Sequence, residues 1–403
     1  MLREDTIRVR IVCYFIYGVE FFLMFTGIIQ EIAYMVQVAR GGSFQDAIDI
    51  FRMMPCLGYV SLALAKSYKM VAYRPVYENL YRELRDMWPR GRLDDDEYQV
   101  IHSGFKELNF VLRGYYVCNY IMWFIFMLPP FVAFIQNWAG QDVNKTLPFY
   151  FWFPIDPLQP IVYEVILLTQ TWSGLATVLL LVVADMLYCI VLSHLSTLLQ
   201  LLALRIQKLV YVPVDDQLLA TYPLGEASAR REANDELAVT TFTARDWEQR
   251  NIKDLKEIFE RHRALIRLVG DVELLNSFEL LLNFCNSSLI ICSSGFCSVV
   301  VEKLTELPYK TFLATALTQT WLLCWFGQKI IDSSVGVADA LYNCGWYNAS
   351  KKIKSTVIIM MLRSQEELHI TTYGFSVVSL ISYTTIVKTS WSYFTLLLKL
   401  YED

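Results

Sequence analysis

Seven stretches of this chain are long and apolar enough to cross a bilayer, and together they dictate a helical membrane protein. They run near Ile11 to Val38, Met54 to Tyr73, Tyr115 to Trp138, Trp172 to Leu192, Leu280 to Val301, Tyr309 to Gly327 and Phe375 to Leu400. At about 1.5 Å rise per residue, roughly 20 residues cross a hydrocarbon core of about 30 Å, and within lipid a helix satisfies its own backbone. Composition agrees: 55% of residues are hydrophobic and 19% charged, a balance soluble domains rarely show. The expected fold is all-α, with seven transmembrane helices.

Seven crossings put the two ends of the chain on opposite sides, and Lys and Arg placement says which is which. The amino-terminal tail holds Arg3, Arg8 and Arg10, the segment from Lys66 to Arg113 is strongly basic, and so are the stretches from Arg205 to Arg267 and from Lys329 to Arg363. The alternate loops hold only Arg40, Lys145, Lys303 and Lys310, apart from Arg52 at the start of the second crossing. The positive-inside rule then predicts a cytosolic amino terminus and an extracellular carboxyl terminus. The sequon at Asn144 falls in a loop on the predicted outer side, where glycans are added. Asn286 and Asn348 match the same pattern in a crossing and in an inner loop. The run after Arg10 is too long for a cleavable signal peptide and is expected to stay as the first crossing.

Several classes fall away. None of the nine cysteines lies in an outer loop, so they read as packing residues. No CxxC or HExxH occurs among four histidines, so neither a metal site nor a cofactor is expected. The net charge of −5 does not suit a nucleic-acid partner. Glu20 and Asp185 sit inside apolar runs and are expected to be paired or to face the bundle. Asp185 and His194 are nine positions apart, which does not bring them into contact on one helix. Together with Lys388, Glu20 and Asp185 look scattered on separate helices without clear partners, which speaks against a transporter or membrane enzyme.

Along the chain, Gly41 and Gly42 make a turn after the first crossing. The segment from Lys66 to Arg113 is expected to form inner helices, with a helix start after Arg92 in an acidic cluster before Tyr98. In the third crossing Tyr116, Tyr120, Trp123, Phe124 and Met127 recur at helical spacing, before Pro129 and Pro130 kink or end the helix. That face either packs as core or borders an apolar pocket. The loop from Asn137 to Gln170 is rich in Pro and aromatics and is expected to fold down as a lid. The fourth run, Trp172 to Leu209, outlasts the bilayer and must project inward. A polar stretch, Val212 to Asp246, precedes a return of helical periodicity at Leu255, Ile258, Phe259, Ile266 and Val269 that runs into the fifth crossing. The sixth also continues inward, followed by an apolar helix over Lys352 to Leu362. These extensions predict a packed cytosolic bundle.

The last crossing carries Ser382, Thr385, Lys388, Thr389 and Ser392 on one face, continued by Leu396, Lys399 and Leu400. A polar stripe in a spanning helix faces protein or water. It serves either helix packing through hydroxyls or a wet path lined by several copies of the helix, narrowed by leucines that gate by dewetting.

The final hundred residues resemble those of insect odorant receptors. The elements are Trp325-Phe326-Gly327-Gln328, Ser333 to Ala340, Tyr342, Trp346, the Arg363-Ser364-Gln365 corner, Gly374-Phe375 with Ser379-Leu380, and Ser392-Tyr393-Phe394. Before position 270 the likeness is mainly one of topology and length. The resemblance implies a tetrameric ligand-gated non-selective cation channel in the plasma membrane of an olfactory neuron. Its pore would be lined by the seventh helix, with Thr385, Thr389, Ser392, Leu396, Lys399 and Leu400 as pore and gate, and its anchor built from the inner ends of helices four to seven. It also implies a pocket for a small volatile molecule in the outer half, among helices two, three, four and six. The corresponding positions are Phe51, Met54, Tyr120, Trp123, Phe124, Met127, Trp172, Ala176, Thr315 and Gln319.

The chain is similar to the odour-tuned subunits rather than to their co-receptor, which implies heteromeric assembly with co-receptor subunits. On this reading residues 1–200 carry helices one to four and the pocket, and 201–275 the inner loop and helix extension. Residues 276–330 then carry helices five and six, 331–372 the anchor helices, and 373–403 the pore helix. A gustatory receptor is the alternative, although the TYhhhhhQF ending of that family is absent. A G-protein-coupled receptor would need the opposite topology.

Overall fold

The computed structural model describes residues 7–41, 44–141, 143–209, 244–300 and 307–402. The polar stretch Val212 to Asp246 lies almost wholly outside these residues, as do Arg3 and Lys303. Among the described residues the chain is helical, with no strand and one isolated bridge, Thr371 to Val377. The helices are α1 (Ile7–Ala39), α2 (Phe44–Ala72), α3 (Arg74–Met87), α4 (Asp95–Trp138), α5 (Val162–Gln207), α6 (Ala244–Val300), α7 (Leu307–Asn343), α8 (Lys351–Ser364) and α9 (Leu380–Glu402).

Seven of them are long enough to cross a bilayer. Five, α1, α2, α4, α5 and α6, are also apolar enough by composition. In α7 and α9 polar residues interrupt the apolar surface, for reasons taken up below. With 46 and 57 residues, α5 and α6 reach about 69 and 85 Å at 1.5 Å per residue, far beyond one bilayer. The excess packs with α3 and α8 in a layer at one end of the bundle.

The third crossing ends at Trp138, as expected, with Pro129 and Pro130 inside α4. The two rings deprive the carbonyls of Ile125 and Phe126 of donors without ending the helix. The last helix starts at Leu380 rather than Phe375. Tyr373 and Gly374 both take positive φ, 53° and 80°, and the chain folds back so that Val378 N–H donates to Ile370 O at 2.8 Å. The 23 residues left to α9 still extend about 35 Å. Gly327 on α7 sits directly against the Val378 carbonyl, where a Cβ would collide with backbone.

The start of α4 is where the sequence placed it. Asp94 is its N-cap, and Glu97 reaches back to the Asp94 N–H at 3.5 Å. The end of α5 is tied to it, with Arg205 donating to Glu97 at 2.8 Å and Lys208 to Asp94 at 2.5 Å. The Lys208 ammonium holds the Asp94 carboxyl below the usual carboxylate range.

The main core cluster is centred on α5, whose Leu181, Leu192, Leu195 and Leu199 are fully buried, and a small second cluster gathers Ile48, Phe296 and Cys297. At the middle of the main cluster lies a polar knot. Lys66 of α2 pairs with Asp185 of α5 and also donates to Asn283 of α6 at 3.2 Å. Tyr115 of α4 and Gln319 of α7 each donate to Asp185 Oδ2 at 2.7 Å. Five helices meet there. Lys66, counted above with an inner loop, is instead buried in the bundle at 2% exposure, and Asp185, expected to be paired or to face the bundle, has three partners. His194 stands apart, its ring packed against Trp88 and Phe105 and its Nδ1 2.7 Å from Ile190 O.

Removing one member of a buried pair strands the other at a cost of about 3–5 kcal/mol, whereas replacing both with apolar groups is far milder. Lys66→Met or Asp185→Leu alone is therefore expected to lower the melting temperature of the purified protein sharply. The double variant should recover most of the loss, as read by thermal unfolding in detergent.

Candidate functional site

Next to this knot, α1, α2, α4, α5 and α7 converge around an apolar cavity with free space of about 50 Å³. A water needs roughly 10–15 Å³ of such space, so a few waters or one small organic group fit without rearrangement. Helical spacing puts Met122, Trp123, Phe126 and Met127 of α4 on its wall, facing Gly174, Thr177 and Val178 of α5. Gly174 leaves the room that Met127 fills, since a Cβ there would lie 3.1 Å from the Met127 methyl. From α2 come Cys56, Tyr59 and Val60, from α1 Met24 and Glu31, and from α7 Phe312. The rings interlock: Phe312 meets Tyr59 and Phe126 edge-on, at 5.3 and 5.4 Å between centroids.

The loop between α4 and α5 folds over the cavity, as its composition suggested. Phe149 and Phe151 stack at 5.9 Å and both line the space. Gln170 of α5 holds Phe149 by both backbone groups, accepting from its N–H at 3.4 Å and donating to its carbonyl at 3.1 Å. Trp152 N–H donates to Gln30 O of α1 at 3.2 Å, and Tyr150 stacks on Tyr34. The sequon residue Asn144 is exposed on the same loop.

Of the ten candidate pocket residues, Trp123 and Met127 line this cavity. Thr315 and Gln319 are buried just beyond it, Thr315 accepting from Tyr59 Oη at 2.7 Å and Gln319 occupied by Asp185. Tyr120 and Phe124 are exposed on the outer side of α4. Trp172 is also exposed, its indole N–H spent on Glu20 of α1. Phe51 packs against Phe296 at 5.3 Å, while Met54 and Ala176 are half-buried outside the lining. Periodicity identified the aromatic helix but not which of its sides turns inward. Tyr59, Phe312 and Glu31 were missed, being single residues within otherwise ordinary apolar runs. Phe149 and Phe151 were signalled only by the aromatic density of their loop.

A second feature is the free side of α9. Tyr383, Ile386, Ser390, Phe394, Leu397 and Leu398 pack inward, with Ser390 3.0 Å from Ser288 of α6. Thr385, Lys388, Thr389, Ser392, Leu396, Lys399 and Leu400 are all exposed on this single chain. The hydroxyls of Thr385, Thr389 and Ser392 donate to the carbonyl four residues back, at 3.0, 2.8 and 3.1 Å. Lys388 and Lys399 have no ion-pair partner among the described residues.

A bundle of membrane-length helices with an apolar cavity and a helix whose polar side is left unpacked has the form of a multi-pass membrane protein. A family model described as 7tm odorant receptor matches residues 46–391. Relatives from Drosophila melanogaster include odorant receptor 85c, 22% identical over 92% of this chain and 87% of its own length. Odorant receptor 67c is 25% identical over 87% of this chain and 79% of its own. Odorant receptor 13a is 34% identical over 38% of this chain and 40% of its own. The solved structure of the insect olfactory receptor OR5 from Machilis hrabei in complex with eugenol superposes with a TM-score of 0.76 at 16% identity, covering 99% of this chain and 92% of that one. The chain belongs to the 7tm odorant receptor family.

If Gln170 fastens the lid, Gln170→Leu removes two hydrogen bonds worth about 1 kcal/mol each net. Amide exchange across 147–153 is then expected to rise roughly tenfold or more relative to the rest of the bundle, read by mass-resolved hydrogen exchange.

Proposed function

We propose that this protein is the odour-tuned subunit of a ligand-gated, non-selective cation channel. A small volatile molecule binds in the cavity walled by Trp123, Met127, Phe149 and Phe312 and opens a pore lined by α9. The observation that carries this reading is the α9 surface. A spanning helix that keeps hydroxyls and two lysines unpacked requires either water or further subunits beside it. Copies of α9 around an axis supply both, with Thr385, Thr389 and Ser392 along the wet wall and Leu396 and Leu400 as an apolar constriction.

The partner chains follow from charge. Four copies of Lys399 in one narrow ring would repel permeating cations, whereas fewer among co-receptor subunits are tolerated. The chain thus acts in a heterotetramer with the odorant receptor co-receptor, in the plasma membrane of an olfactory neuron. Its amino terminus is cytosolic and its carboxyl terminus extracellular, and the long ends of α5 to α7 with α8 join the subunits on the cytosolic side. The OR5 neighbour's complex with eugenol agrees with a small organic ligand.

Three measurements test this. In whole-cell recording, odorant-evoked current is expected with the co-receptor and not from this chain alone; robust current without the co-receptor would sink the heteromer. An epitope at the carboxyl terminus should be labelled on unpermeabilised cells. Trp123→Ala and Met127→Ala should each raise the half-maximal ligand concentration about tenfold or more, a loss of roughly 1.4 kcal/mol. Tyr120→Ala and Phe124→Ala, on the outer side of the same helix, should leave it nearly unchanged.

A further inference from the structure

The cavity contains an acidic group whose chemistry nothing around it answers. Glu31 of α1 is 3% exposed and lines the space, yet it accepts no hydrogen bond and joins no ion pair among the described residues. Three of the other polar groups on the wall are committed, while the Trp123 indole N–H is buried without a partner. Gln170 is bound to Phe149 at both ends, Thr177 Oγ1 donates to Ser173 O at 2.8 Å, and Tyr59 Oη donates to Thr315. Most of the remaining wall is aromatic or thioether. A carboxyl held away from water without a donor is costly, and a ligand that supplies the donor recovers that cost on binding.

We propose that the cavity selects small organic amines, bound as ammonium ions whose N–H groups donate to the Glu31 carboxylate and whose charge faces the surrounding rings. This deepens the proposed function, resting on the reading of the cavity as the ligand site. An alcohol offers one donor and no charge, so it does nothing to offset the cost of ionising a carboxyl buried there. An ammonium offers several donors and an opposite charge, and the faces of Tyr59, Trp123, Phe126 and Phe149 attract a cation once it has left water. In a largely apolar site that attraction is screened less than in solvent. The small free space restricts the organic part to a short or branched chain.

The test is equilibrium binding to the purified full-length chain by intrinsic tryptophan fluorescence or calorimetry. Three probes of matched shape serve: 3-methylbutylamine, 3-methylbutanol and 2-methylpentane. The amine is expected to bind at least tenfold more tightly than the alcohol. Glu31→Gln should weaken the amine at least tenfold and the alcohol less than threefold. Glu31→Asp, a shortened carboxylate, should keep the amine preferred at reduced affinity, and it replaces the Gln variant should that one fail to fold. An amine that binds no better than the alcohol, or an equal loss for both in the variant, overturns the proposal. Because binding is read without current, the two readings fail separately. Glu31-dependent amine binding with no current beside the co-receptor sinks the channel reading alone, and alcohol or alkane binding indifferent to Glu31, with no amine preference, sinks this one alone.

Discussion

A charged side chain inside a bilayer must find its partner within the protein, and that requirement fixes how these helices are arranged. Lys66 and Asp185 lie 119 residues apart in sequence and meet in the middle of the bundle. Either group alone would be intolerable in an apolar interior. Together, with Tyr115, Gln319 and Asn283 adding further hydrogen bonds, they form a knot with one set of depths for α2, α4, α5, α6 and α7. Hydrophobic burial does not discriminate between such depths, because leucines slide past leucines at little cost and lipid is as apolar as either. The polar contact does discriminate. A shift of one turn, about 5.4 Å, would break every bond in it.

With the depths set, the rest follows locally. The side chains of α4 just beyond Tyr115, from Met122 to Met127, fall opposite Gly174 to Val178 of α5, and the cavity is the space their unequal sizes leave. The connection between these helices is long because it must return over the opening. Its rings are drawn in by the apolar wall, and Gln170 holds the loop over it by satisfying the backbone at Phe149.

The sequence made visible what depends on composition along one segment, and little of what depends on two segments meeting. Apolar length sufficed for the seven long helices, and the acidic cluster after Arg92 for the start of α4. Lys66 was assigned to a loop because a charge closing an apolar run is ordinarily a boundary; only the position of Asp185 in space makes it an interior residue. Trp123 and Met127 were identified as candidates by size and spacing, but so were Tyr120 and Phe124, which share the helix and face away. Trp172 looked equally suitable, and its indole is taken by Glu20. Glu31 gave no signal, since a carboxylate toward one end of a spanning run is ordinarily read as snorkelling to the interface.

The same geometry explains why α7 and α9 are less apolar than the other long helices. α7 does three things along one continuous ladder: Phe312 forms cavity wall, Gln319 joins the polar knot, and Gly327 admits the Val378 carbonyl at the foot of α9. From Phe312 to Gly327 is about 22 Å of uninterrupted helix, with no proline between to absorb a bend. A side chain pushed outward at Phe312 is therefore resisted at Gln319 and felt at Gly327, where backbone touches backbone and no side chain is present to yield. α9 in turn meets the bundle along one side only, so its position is set by its packing on α6 and α7. A stiff element pressed between a small cavity and that helix has polar residues where it must be located and a glycine where it must be close, and those demands leave it fewer positions for the leucines that fill α5.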